Sequence, residues 1–192
     1  MKKRGGRVIS VEAYSERKAT VYCINNSSSS SGGGVCDLFL PDYELLYFWN
    51  GFSQQPLHML ENASLPCIES LLQLYSADPA AWQPQHVERR CCCLLYKAMI
   101  ERWLLRGRQC ESTLAEAVAF AEAHRNELKE ETWILPHLYY ELGSVHMSDK
   151  RYDEALACFK LIDDSNLKNS HFNYRLSFKV HMSTDYIKKA KK

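Results

Sequence analysis

No stretch of this 192-residue chain is long and apolar enough to span a bilayer. The basic start Met1-Lys2-Lys3-Arg4 runs into Ser10, Glu12, Ser15 and Glu16, without the apolar core of a signal peptide. Charge of one sign is lacking too. The formal net charge is +1, which argues against nucleic acid or an anionic membrane as the main partner. Eight cysteines are present, at 23, 36, 67, 91, 92, 93, 110 and 158, yet no C-x-x-C pair is among them. Successive helical residues point about 100° apart, so Cys91, Cys92 and Cys93 cannot converge on one zinc ion. Without a secretory signal, these cysteines read as reduced thiols of a cytoplasmic protein, packed as small hydrophobes.

Catalytic signatures are missing as well. None of the seven histidines falls in H-E-x-x-H or beside a G-x-S-x-G elbow. Gly32-Gly33-Gly34 has no following Lys-Ser/Thr and no flanking strand, so it is not a phosphate loop. A dyad of His86 with one of Cys91–Cys93 is conceivable, but those cysteines share their helix with Leu94 and Leu95, which favours a core role. We expect no enzyme, no cofactor and no metal.

What is present is helical patterning, with no paired strands, so the expected class is all-α. The organisation reads as an N-terminal helix within 1–24, a Ser/Gly-rich flexible linker at 25–39, and a helical domain over 40–190. Pro41 opens a compact helix from Tyr43 to Asn50, closed by Gly51, and its run Leu45-Leu46-Tyr47-Phe48-Trp49 predicts burial on nearly every side. Pro56 and Pro66 each start a further segment. Longer helices are expected from Val87 to Arg106, ending at Gly107, and from a Ser112 cap through Leu128. Others follow at 136–148, 152–164 and 171–190, the last with a lysine-rich end.

Within the third and fourth of these, Tyr139-x-x-Leu142-Gly143-x-x-His146 is followed by Tyr152 and Ala155-x-x-x-Phe159. That is the spacing of one tetratricopeptide repeat. Gly inside a helix costs about 1 kcal/mol against Ala, so Gly143 predicts a close helix–helix approach, with Ala155 on the facing helix. Glu116-Ala117 precedes Glu154-Ala155 by 38 positions (155 − 117), which suggests a degenerate first repeat. The expected architecture is a set of tetratricopeptide-repeat-like helical hairpins forming an α-solenoid. In such hairpins the first helix lines a concave groove, where His137, Tyr140, Ser144 and Met147 would bind a partner; in the alternative, preceding helices cover these same residues. The partner would be a protein or peptide. A structural capping or oligomerisation segment of a larger helical solenoid is the alternative.

Three segments carry a family resemblance: Leu40 to Phe52 with its Trp-Asn-Gly-Phe element, Leu135 to Ala155, and Asn169 to Val180. Together the chain resembles the C-terminal third of the tetratricopeptide repeat protein 39 family, whose members are considerably longer. The serine-glycine insert and the ending are most similar to its C-type branch. The resemblance implies an intracellular all-helical scaffold without a catalytic site, and a link to cilium assembly.

Overall fold

A computed structural model describes residues 39–75, 84–129, 131–164 and 173–191, together with Glu16, Lys18 and Thr20. Among the described residues there are helices and no strand. Helix α1 spans Pro41–Phe48 and is followed by a single 3-10 turn, Gly51–Gln54. Helices α2 (Leu57–Met59) and α3 (Leu65–Leu74) are joined by a π-turn at Leu60–Ser64 into one rod. Two long hairpins follow: α4 (Pro84–Trp103) with α5 (Gly107–Ala123), then α6 (Ile134–Ser148) with α7 (Tyr152–Asp164). Helix α8, Asn173–Ala190, packs against the second hairpin.

The rod replaces the two separate segments expected from Pro56 and Pro66. Pro66 has no N–H, and its ring crowds the carbonyl four residues back, at Asn62. Widening the helix by one π-turn just before it relieves that conflict without breaking the rod.

Helix α4 is central. Cys91, Cys92 and Cys93 point in three directions, and all three are buried. The helix is therefore enclosed by α1, α3, α5 and α6. Tyr96 carries this centre outward, meeting Tyr43, Tyr47 and Phe52 at ring separations of 5.9, 6.5 and 6.4 Å.

The hairpin prediction rests on Gly143, and the geometry supplies its reason. A Cβ added there would lie 2.6 Å from Phe159 Cε1 and 3.1 Å from Cys158 Cβ. The Phe159 ring packs over Gly143, and Ala155 is fully buried one turn earlier on the same helix. The first hairpin repeats this arrangement, in a register different from the expected one. Both turns end in a left-handed residue, Leu105 (φ 59°) and Lys150 (φ 60°), 45 positions apart (150 − 105). Around each, the same two hydrogen bonds form. Leu105 N–H donates to the Arg102 carbonyl at 3.1 Å, and Arg106 N–H to that of Glu101 at 2.9 Å. Lys150 N–H donates to Met147 at 3.1 Å, and Arg151 N–H to His146 at 2.9 Å. This is the Schellman closure of a helix end. The same offset of 45 positions relates Gly143, Ala155 and Phe159 to Ala98, Cys110 and Leu114, all buried. Ala98 holds the small-residue position of the first repeat, and Cys110, not Ala117, corresponds to Ala155.

Three further expectations are corrected. Gly107 does not end α4. It opens α5, so Ser112 lies inside that helix and caps nothing. Helix α1 is not buried all round: Tyr43 and Tyr47 face inward, whereas Leu45 and Trp49 are each about 60% exposed. Among the described residues the neighbours of this short helix stand mostly on one side, which leaves its outer apolar residues half uncovered. Of the N-terminal helix expected within 1–24, Glu16, Lys18 and Thr20 are helical, and the rest lies outside the described residues, as does the 25–39 linker except Phe39.

Candidate functional site

The four residues assigned to the groove sit on α6 at helical spacing, and the structure treats them unequally. His137 and Ser144 are buried, whereas Tyr140 and Met147 are half-buried. The Ser144 hydroxyl donates back to the Tyr140 carbonyl at 2.8 Å, a bond internal to the helix. Tyr140 stacks on Phe159 at 5.9 Å, and the Lys179 ammonium lies 5.2 Å above its ring. Tyr140 and Met147 are therefore the members of this set that offer surface.

His137 is covered from two directions. From α1, Tyr47 and Phe48 pack edge-on to its ring at 5.5 and 5.6 Å. From α8, Leu176 and Lys179 line the small cavity beside it, with Arg175 at the rim. On α6 itself Trp133, one turn earlier, meets the ring at 5.5 Å and stacks with Tyr47 at 6.0 Å.

A buried polar chain runs through this centre. Arg102 Nη1 of α4 donates to Glu141 Oε2 at 3.0 Å. The Tyr47 hydroxyl donates to Glu141 Oε1 at 3.1 Å and lies 2.8 Å from His137 Nδ1. The hydroxyl has one proton, and it goes to the carboxylate. Nδ1–H then donates to the phenol oxygen, and Nε2 keeps its lone pair toward the cavity. Nε2 has no hydrogen-bond partner. Burial, with Lys179 adding a smaller push, lowers the His137 imidazole to about 3, so it is neutral. Burial first, and then the Glu141 carboxylate, push the Tyr47 phenol well above its ordinary value. The chain holds its protons in fixed places, as a structural clamp of α1, α4 and α6.

A second cluster holds Lys18 against α1 and the start of α6. Lys18 Nζ reaches Glu131 and, at 3.2 Å, Glu44 of α1. Glu131 also accepts the Trp133 indole N–H at 2.6 Å, while its own backbone N–H donates to Glu88 at 3.1 Å. The two carboxylates more than offset the burial that opposes the charge, so the Lys18 ammonium is held above its ordinary value.

Nothing in these arrangements supplies an activated nucleophile. Burial pushes the thiols of Cys91, Cys93 and Cys110 up to about 12, far from the thiolate form. His86, the conceivable partner, packs on Tyr75 at 5.8 Å. Among the described residues, no group of three His, Cys, Asp or Glu side chains is placed to hold a metal ion. Among them also, no helix is long and apolar enough to cross a membrane. Beside α1 lies an open apolar groove of about 710 Å³, lined by Leu45, Leu46 and Trp49 from that helix and by Gln55 and Ser64 opposite.

Paired antiparallel helices, closed by matching turns and packed through small residues, define a tetratricopeptide-type helical repeat protein. The Iml2/Tetratricopeptide repeat protein 39 family model matches residues 1–104, more than half of the chain, and the chain belongs to that family. It is also similar to Tetratricopeptide repeat protein ttc-39B of Caenorhabditis elegans, at 24% identity over 179 residues. That alignment covers 92% of this chain and 27% of the relative, so the chain spans about a quarter of the relative's length. No solved structure matches.

Proposed function

We propose that this chain is a non-enzymatic, cytoplasmic protein-interaction scaffold of the tetratricopeptide type. The observation that supports this is the duplicated hairpin, with Gly143 under Phe159 in one copy and Ala98 buried at the corresponding place in the other. Such packing makes a rigid platform, and a rigid platform binds without an ordering cost on its own side.

For the contact face we propose the open part of α6, Tyr140 and Met147, where a half-buried aromatic ring and a half-buried, polarizable thioether lie two turns apart on one face of the helix. His137 and Ser144 belong to its foundation. The family resemblance points the scaffold toward cilium assembly. Proximity labelling in ciliated cells tests both statements: Tyr140→Ala with Met147→Ala should remove a defined subset of labelled neighbours, ciliary proteins among them. An unchanged set of neighbours would defeat the assignment of this face.

The alternative, a cap or oligomerisation segment within a longer solenoid, draws on the apolar exposure of Leu45, Leu57, Met59 and Leu74 along the first helices. Light scattering after size exclusion separates the two. A monomer supports the autonomous scaffold, and concentration-dependent association supports the segment.

A further inference from the structure

Helix α8 buries Leu176, Val180, Ser183 and Ile187 against the second hairpin. Steps of three and four along the same helix place a second set on its outer flank: Arg175, Phe178, Lys179, Met182, Tyr186 and Lys189. Phe178, Met182 and Tyr186 are 61, 54 and 57% exposed, and they fall at i, i+4 and i+8, as a single ridge. The charged residues along this flank are cationic except Asp185, which stands beside Met182 and Lys189 at helical spacing and lies 3.3 Å from His181 and 3.8 Å from Lys188. Cations therefore outnumber carboxylates there. The strip continues past α8: the Arg175 guanidinium lies 5.4 Å over the exposed ring of Trp49 on α1.

We propose that this flank is a docking surface for an acidic amphipathic helix. An i, i+4, i+8 ridge seats in the groove of a second helix, and the three cations flanking it meet carboxylates on that helix. A second copy crossing antiparallel at Met182 would set Arg175 against the second copy's Lys189, like charge on like. An anionic bilayer is too broad for the site. It would also cover the exposed carboxylates that start α7, where Asp153 is paired to Lys191 at the end of α8 and Glu154 lies one residue on. A helix is narrow enough to touch the strip alone. The proposal rests on the scaffold reading and adjoins the Tyr140–Met147 face through Lys179, whose ammonium lies over the Tyr140 ring, and the two are separable because their test residues differ.

The test is fluorescence anisotropy of the full chain with a labelled 18-residue amphipathic helix, leucine on one face and glutamate on the other. Its counterpart with lysine in place of glutamate, and vesicles of phosphatidylserine and phosphatidylcholine, complete the set. The glutamate helix should bind at least tenfold more tightly than the lysine helix and should weaken with salt. Phe178→Ala with Met182→Ala should weaken it at least tenfold, and so should Arg175→Glu with Lys189→Glu, at unchanged helical content. Met147→Ala should leave it within twofold, whatever that variant does to labelling in cells. Equal binding of the two peptides, indifference to both pairs of substitutions, binding to vesicles without binding to the peptide, or self-association abolished by those substitutions would each overturn the proposal.

Discussion

At Gly143 two effects oppose each other. Alanine would add about 1 kcal/mol of helix propensity. Its methyl would also need space held by a buried phenyl ring at 2.6 Å and by the Cβ of Cys158 at 3.1 Å. The second of these is anchored to the backbone, and the ring is held by its stack on Tyr140. The clash should win, with Gly143→Ala destabilising by about 1–3 kcal/mol in urea unfolding. A neutral or stabilised variant would show that the two helices can part at no expense. His137 supports a second prediction. Its folded pKa is depressed to about 3, below the ordinary value of 6.5, so below pH 6.5 the unfolded chain binds the proton that the folded chain refuses. Stability is fully present above that pH and falls by about 1.4 kcal/mol per unit as the pH drops toward 3. The groups facing the ring are Tyr47 from α1, Glu141 beyond it with Arg102, and Arg175 and Lys179 from α8. In His137→Leu the Tyr47 hydroxyl still donates to Glu141. Unfolding of this variant between pH 6.5 and 4.5 should therefore have a shallower pH slope than the wild type. Parallel curves would mean that the imidazole is already protonated.

At the scale of elements, both hairpins were legible in the sequence, but the repeat register only in the second. Tyr152–Asp164 has the predicted bounds because Asp153 and Glu154 open it and Ala155 and Phe159 repeat at helical spacing. The register of the first hairpin hides because its small residue is alanine and its alanine position is cysteine, both ordinary in any helix. Its turn hides as well. A left-handed residue between helices is expected to be glycine, and Gly107 stands two positions too late, while Leu105 takes the strained conformation itself. A Cβ in the left-handed region costs about 1 kcal/mol. Leu105 is 89% exposed and contributes no burial in return. Leu105→Gly should therefore stabilise by about 1 kcal/mol, read as a higher denaturation midpoint at unchanged slope. A loss of stability would mean that the turn gains from its leucine. A Cβ added at Gly107, by contrast, would meet no atom within 4 Å, so packing does not require glycine there.

For the whole molecule, helix faces were predictable and their covering was not. Spacing alone placed His137 and Tyr140 on one side of α6. Only the fold brings in Tyr47, 90 positions earlier, to bond His137, and Leu176, 39 positions later (176 − 137), to close over it. The same long-range pairing converts an expected groove into a joint. Helix α1 adds Tyr43 and Tyr47 to the face of α4 and α6, where Tyr96, Trp133 and Glu141 would otherwise meet water. Its removal uncovers two large aromatic side chains and leaves the buried Glu141 carboxylate without its hydroxyl donor. A chain lacking residues 1–55 should accordingly self-associate at concentrations where the full chain does not, and its thermal transition should broaden. Tyr47→Phe, which keeps the ring and removes only the hydroxyl, should lose about 1–3 kcal/mol without associating. Light scattering on the two forms separates the contribution of the covering surface from that of the hydrogen bond. If the shortened chain stays monomeric with a sharp transition, α1 is an appendage and the repeats stand without it.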